Sequence, residues 1–257
     1  MDVDYHSVSK TISTIDDFNK KYDIKNMKIG IIGAIKQEIK TLKKIICPYK
    51  TIIGKYNIYI GTFKNNNIFL ITSGIGKVSA SIACMILINL YKIDVIMNTG
   101  SAGSLLLSLK IGDVVIPEKV SYYDVDLINF GYTRGQIPKY PKEFLIHEKI
   151  KIFLETITKQ YQLKFKTGLM ISGDSFIHGS LSIKKLKNQF PTAIAVEMES
   201  AAIAQVCYQF NIPFIIIKSI SDLSDKNATL NFEQNIDFAS FQSSNIVKKI
   251  LENITNI

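Results

Sequence analysis

Apolar residues recur along this chain with two periods. Runs rich in isoleucine and valine at 28–34, 94–99, 113–117, 167–172, 193–196 and 213–219 are short and nearly unbroken, the pattern of strands buried on both faces. Helical spacing appears between them. Ile39, Leu42 and Ile46 share one face of 37–46, and Ile236, Ala239, Ile246 and Ile250 recur through 232–252. Small and apolar residues fill 77–91 and 200–210, and 181–188 predicts one more helix. The segments 57–62 and 67–72 predict a hairpin turning at Lys64-Asn65-Asn66. Strands alternating with helices predict an α/β layer fold. No internal repeat or low-complexity linker divides it, so a single domain is expected.

Several of the buried runs stop at polar residues. Ile194-Ala195-Val196 runs into Glu197-Met198-Glu199, and Phe214–Ile217 leads to Ser219-Ile220-Ser221-Asp222. Val95-Ile96-Met97 ends at Asn98-Thr99-Gly100-Ser101, and the run at 29–34 reaches Glu38 after one short turn. Ligands of open parallel sheets bind beyond the carboxyl ends of the strands, so acids distant in sequence would share one crevice. Glycosidic cleavage needs such a set, with one group to protonate the leaving group and another to activate water. Taken singly, each acid has a plainer use. Glu199, for instance, could favour the dipole of the helix at 200–210.

Two segments stand apart from the alternation. Residues 1–26 are polar, without an apolar period, and predict a poorly ordered or peripheral extension. Between Ser121 and Phe144, the aromatic residues Tyr122, Tyr123, Phe130, Tyr132 and Tyr140 are interspersed with Gly131, Gly135, Pro138 and Pro141. Disordered segments lack aromatics, so this loop is expected to cover a pocket, meet a partner subunit or wrap on its own core.

Composition narrows the function. The 257 residues are 47% hydrophobic, ample for a large core, and no apolar run approaches the ~20 residues that span a bilayer. Met1–His6 lacks the basic and apolar parts of a secretory signal, and Cys47, Cys84 and Cys207 are odd in number and far apart. A cytoplasmic protein with reduced thiols is expected. The formal charge of +9 invites a nucleic-acid reading, but Arg134 is the sole arginine and the lysines are scattered, so none is expected. His6, His147 and His178 lack metal-ligand spacing. Gly30-Ile31-Ile32-Gly33 has Lys28 where a dinucleotide fingerprint needs glycine, which leaves close packing or a tight turn for these glycines. Ser73-Gly74-Ile75-Gly76-Lys77 lacks the P-loop's first glycine at Ile71 and its hydroxyl at Val78. Amides lining a ligand pocket at a helix start remain open for that turn.

The motifs taken together resemble the bacterial 5′-methylthioadenosine/S-adenosylhomocysteine nucleosidases. The resemblance is carried by the segment from Met27 to Ala34 with Glu38, by Ser73–Lys77 and by Asn98-Thr99-Gly100-Ser101-Ala102-Gly103. It continues in Ser172-Gly173-Asp174, Ala195–Glu199 and Ser221-Asp222, in matching order from Met27 to the C-terminus. It implies a nucleoside phosphorylase-like fold with a mixed central sheet flanked by helices, a nucleosidase domain over 27–257, a homodimer and no cofactor. The implied reaction releases adenine from both thionucleosides, in methionine salvage and S-adenosylhomocysteine recycling. Asp222 would be the general acid at adenine N7 and Glu38 the base for water, with Ser101 beside it. Glu199 and the Met198 backbone would hold the ribose. Phe176 would stack on adenine, the Ile177 backbone would read its edge, and Phe232 and Ile75 would line the sugar and thioether region. Ala102, Gly103, Ser221 and Lys218 complete the implied binding set, and Phe130 and Pro138 would come from the second subunit.

Two departures accompany the resemblance. Lys218 stands where the family commonly has arginine, losing the planar fork, and Ile35 replaces a frequent methionine. The alternatives are a purine nucleoside phosphorylase and a non-catalytic nucleoside-binding protein. A phosphorylase would need arginines for its anionic co-substrate. A mere binder would be expected to lack one of the acids, and the chain has all three.

Overall fold

Strand β1 (Lys28–Gly33) shows how the core is built: Ile29 and Ile31 face one apolar cluster while Ile32 faces another. Both faces are covered, which is why the run lacks polar alternation. The computed structural model describes residues 27–46 and 49–254, so the expectations for 1–26 and Cys47 lie outside the described residues.

After β1 come helix α1 (Lys36–Ile45) and a meander of β2 (Tyr49–Ile53), β3 (Tyr56–Phe63) and β4 (Asn66–Thr72). Helix α2 (Lys77–Ile86) continues as a π-helical stretch, Leu87–Tyr91, into β5 (Val95–Ser104). Short strands β6 (Val114–Val115), β7 (Lys119–Tyr122) and β8 (Phe144–Leu145) precede α3 (Glu148–Tyr161) and β9 (Leu169–Ser172). The chain closes with α4 (Ser180–Gln189), β10 (Ala193–Glu197), α5 (Ser200–Phe210), β11 (Phe214–Asp222) and α6 (Ala228–Asn253).

The strands form one mixed sheet, ordered β2-β3-β4-β1-β5-β10-β9-β7-β8, with β11 paired to both β5 and β6. β5 is central: its first half lies between β1 and β11, and its end meets β10 in antiparallel register. Helices α1, α3 and α6 pack Leu42, Phe153 and Val247 on one face, and α2 and α5 pack Ala83 and Ala204 on the other. Gly30 supplies the close packing expected of it, since a Cβ there would sit 2.7 Å from Ile96. Among the described residues no helix is long and apolar enough to cross a membrane.

Several elements differ from the pattern, the short strands β2, β7 and β8 among them. β5 runs five residues past the predicted 94–99 strand, because Gly100, Ala102 and Gly103 continue the ladder with β11 beyond the apolar run. α3 was not predicted, although Ile150, Phe153, Leu154 and Ile157 are buried along it at helical spacing. The predicted 77–91 helix is α-helical only to Ile86, and α6 starts at Ala228, ahead of the predicted 232. In the aromatic loop, Tyr140 and Phe144 pack on Tyr208 of α5, and Tyr140 Oη donates to Gln209 at 2.9 Å. That half wraps on its own core, whereas Phe130 is 77% exposed.

Candidate active site

Glu38 is the third residue of α1, and its carboxylate closes the helix start by accepting the amides of Ala34 at 2.7 Å and Ile35 at 3.3 Å through Oε2. Its other oxygen accepts the amide and hydroxyl of Ser101 at 2.9 and 3.0 Å. The group fits because Gly100 has no side chain. A Cβ there would fall 2.3 Å from Glu38 Oε1, and the Gly100 φ of +149° also suits glycine.

Glu197 and Glu199 divide two tasks. Glu197 ends β10 and caps α5, accepting the amides of Glu199 and Ser200 at 3.0 Å each and a short hydrogen bond from the Ser172 hydroxyl. Capping by Glu199, the plainer use open to it, therefore falls to Glu197. Glu199 is left to accept the Gly76 amide at 3.0 Å. Lys218 lies between the two acids, with Nζ 3.1 Å from Glu197 Oε2 and 3.5 Å from Glu199 Oε2. A buried ammonium is costly unless paired, and burial alone would lower the Lys218 pKa. Glu197, Glu199 and Glu38 reverse that and hold it well above the ordinary lysine value. Burial likewise works to raise Glu197, but Lys218, the Ser172 hydroxyl and two amides bring it below the usual carboxylate range. Glu199 gets the smaller share of the cation. Burial, with Glu197 and Glu38 adding to it, pushes it up to about 7.

Asp222 owes its aim to a bulge. The β5–β11 register shifts between Ile220 and Asp222, turning Asp222 opposite Gly103. Its Oδ1 accepts the Ser224 amide and its Oδ2 the Ser221 hydroxyl, both at 2.9 Å. Burial raises its pKa, opposed by those two donors. A carboxyl so placed keeps its proton to a higher pH, as a general acid requires.

These groups open on one cavity of about 470 Å³, a size that suits a small organic ligand. Glu38 and Ser101 stand on its wall with Glu199, Met198, Asp222 and Ser221. Phe176 and Phe232 meet edge to face with centroids 5.8 Å apart, and Ile75, Ile177 and Gly103 complete the expected set. Ala102 is different: it is buried, and its carbonyl lies 3.4 Å from the Ser221 hydroxyl oxygen. Lys218 is fully buried and does not line the cavity itself; it stands behind the wall, its charge taken up by Glu197 and Glu199, which do. Phe130 and Pro138 are also absent from the wall. The wall further holds Glu197, Ser224, Thr229 and Glu233, to which the sequence pattern assigned no role. For Glu197 a signal existed, an acid three residues before a helix. Among the described residues, no group of three or more His, Cys, Asp or Glu side chains is placed to hold a metal ion.

Residues 28–252 match the phosphorylase superfamily. The chain is 66% identical over 232 residues to the 5′-methylthioadenosine/S-adenosylhomocysteine nucleosidase of Buchnera aphidicola subsp. Acyrthosiphon pisum, covering 90% of this chain and all of that protein. The chain belongs to the 5′-methylthioadenosine/S-adenosylhomocysteine nucleosidase family.

Solved nucleosidases share its fold. The S-adenosylhomocysteine nucleosidase of Streptococcus pyogenes, in complex with 5-methylthiotubericidin, superposes with a TM-score of 0.87 at 34% identity, over 91% of this chain and all of that one. The nucleosidase of Colwellia psychrerythraea, in complex with adenine, gives 0.85 at 38% identity, over 90% and 97% of the two chains. As a nucleosidase-family member, this chain meets its two acids at Lys218 with one compact ammonium and no guanidinium fork.

Proposed function

We propose that the chain hydrolyses the N-glycosidic bond of 5′-methylthioadenosine and S-adenosylhomocysteine, releasing adenine and the thioribose product, a step of methionine salvage. One observation carries this reading: Glu38, Glu199 and Asp222, from three separate segments, stand on the wall of a single cavity. Glu38, with Ser101, orients a water molecule and takes its proton as the oxygen attacks C1′. Asp222 donates to N7 as the C1′–N9 bond breaks, so adenine leaves neutral. Glu199, ionised, holds the ribose hydroxyls and stabilises the positive charge growing on the sugar. Phe176 offers a face for the base, and Ile75 and Phe232 line the thioether side.

Hydrolysis fits these residues better than phosphorolysis. An incoming phosphate would meet the Glu38 carboxylate, and the buried cation nearest the acids is already shared between Glu197 and Glu199. The proposal extends to a homodimer in which Phe130 and Pro138 of a second copy complete the site. The exposure of Phe130 supports that reading. So do Leu107 and Leu145, large apolar side chains open to solvent. A reducing cytoplasm suits Cys84 and Cys207, free thiols with Sγ atoms 3.8 Å apart.

The test follows adenine formation from 5′-methylthioadenosine in phosphate-free buffer and again with phosphate added. Equal rates are expected. Strict dependence on phosphate would transfer the protein to the phosphorylase class.

A further inference from the structure

Just outside the cavity, one lysine and two aspartates tie its rim together. Lys77 opens α2, two residues after Ile75. Its Nζ donates to Asp124 Oδ2 at 2.6 Å and lies 3.8 Å from Asp174 Oδ2, and its backbone amide donates to Asp174 Oδ1 at 2.8 Å. The Asp174 amide closes the triangle on Asp124 Oδ2 at 3.0 Å. Asp124 follows β7 and Asp174 follows β9, so segments far apart in sequence meet around one cation. The same ammonium stands 5.4 Å from the centre of the Tyr122 ring.

None of the three charged residues lines the cavity, yet each adjoins a segment that shapes it. Ser175 and Phe176 follow Asp174 directly. Tyr123, beside Asp124, fixes that loop again: its hydroxyl donates to the Ser175 carbonyl at 2.8 Å and accepts the Ser175 amide at 3.2 Å. Gly76, between Ile75 and Lys77, gives its amide to Glu199 Oε1 at 3.0 Å. Movement of Lys77 would therefore shift the Ile75 wall, the Phe176 wall and a donor to Glu199 together.

We propose that Lys77 is a positioning residue of the nucleoside site: its ammonium, held by Asp124 and Asp174, sets the spacing between the Ile75 and Phe176 walls. The inference rests on the nucleosidase reading and deepens it. A rim held at its working width leaves less ordering to be done when the ligand arrives. No reacting atom touches Lys77, so the effect falls on binding and not on bond cleavage. The lysine and Asp124 side chains are 23% and 26% exposed, so salt screens the tie in part.

The test compares wild type with K77M, K77R and D124N on 5′-methylthioadenosine, an uncharged substrate that adds no salt dependence of its own. For K77M, KM is expected to rise roughly three- to tenfold with kcat within about twofold, the scale of losing two partly screened ion pairs. K77R should restore KM to within about twofold, because a guanidinium can bridge both carboxylates. Raising salt from about 50 to about 500 mM should raise the wild-type KM and leave that of K77M unchanged. D124N should behave as K77M does, and it carries the test if K77M fails to fold. An unchanged KM in a folded K77M or D124N overturns the proposal. So does a fall in kcat at constant KM. Wild-type protein that releases no adenine overturns the nucleosidase reading instead, and the proposal falls with it.

Discussion

Lys218, Glu197 and Glu199 set the electrostatics of the site at the scale of single residues. One ammonium serves two carboxylates, and Glu197 holds it more closely while also taking the amides at the start of α5. Glu199 is consequently pushed up to about 7 by burial and its acidic neighbours. The role proposed for it at the ribose needs the ionised form, so kcat/KM should rise with pH through about 7. Stability runs the other way. A carboxyl raised above its unfolded value stabilises the fold most below the unfolded pKa and loses that contribution as pH climbs through the folded value. Replacing Lys218 by methionine removes the charge that lowers Glu199, so the pH–rate midpoint should move upward. The melting temperature should also fall, since breaking a buried pair costs about 3–5 kcal/mol. A pH–rate profile of K218M with an unmoved midpoint would show that the lysine does not tune Glu199. The three acids were legible because each follows a buried apolar run closely. The partner of Lys218 was not, since strand alternation gives the face a residue points to and not what waits there.

At the scale of elements, β5 does the most to assemble the chemistry. It passes Gly100 beneath the Glu38 carboxylate, presents the Ser101 amide and hydroxyl to it, and sets Gly103 opposite Asp222. The small residues in this stretch lie beyond the strand that the apolar run at 94–99 predicts. In the fold they are a strand kept narrow so that two acids can approach it. Gly100→Ala would place a Cβ 2.3 Å from Glu38 Oε1, and no rotation of a methyl group relieves that contact, so the carboxylate must move. The substitution should lower kcat by about 10²–10⁴, the usual worth of one acid–base group. Steady-state kinetics together with a melting curve would check it, and a folded variant with normal kcat would mean that Glu38 can act from elsewhere. The helices at 37–46 and 200–210 were legible from apolar spacing. α3 was not read because its stripe is diluted by Lys149, Lys151, Glu155 and Lys159 and follows an irregular aromatic loop.

Across the whole molecule, the mixed sheet brings together what the sequence scatters. β1, β5 and β11 run parallel and deliver Glu38, Ser101 and Asp222 to the same end of the sheet, while β10 brings Glu199 from the other half. A parallel α/β sheet was enough to foresee convergence at strand ends. The antiparallel join of β5 to β10, which brings Glu199 to the cavity that Glu38 and Asp222 also line, depends on long-range pairing that no local pattern reveals. The most direct measurement is a crystal structure of the Asp222→Asn variant with 5′-methylthioadenosine. The expected result is an intact nucleoside in the cavity, its base beside Asn at position 222 and Phe176, its ribose hydroxyls on Glu199, and a water on Glu38 below C1′. A nucleoside bound elsewhere, or one whose ribose turns away from Glu199 and Glu38, would contradict the account.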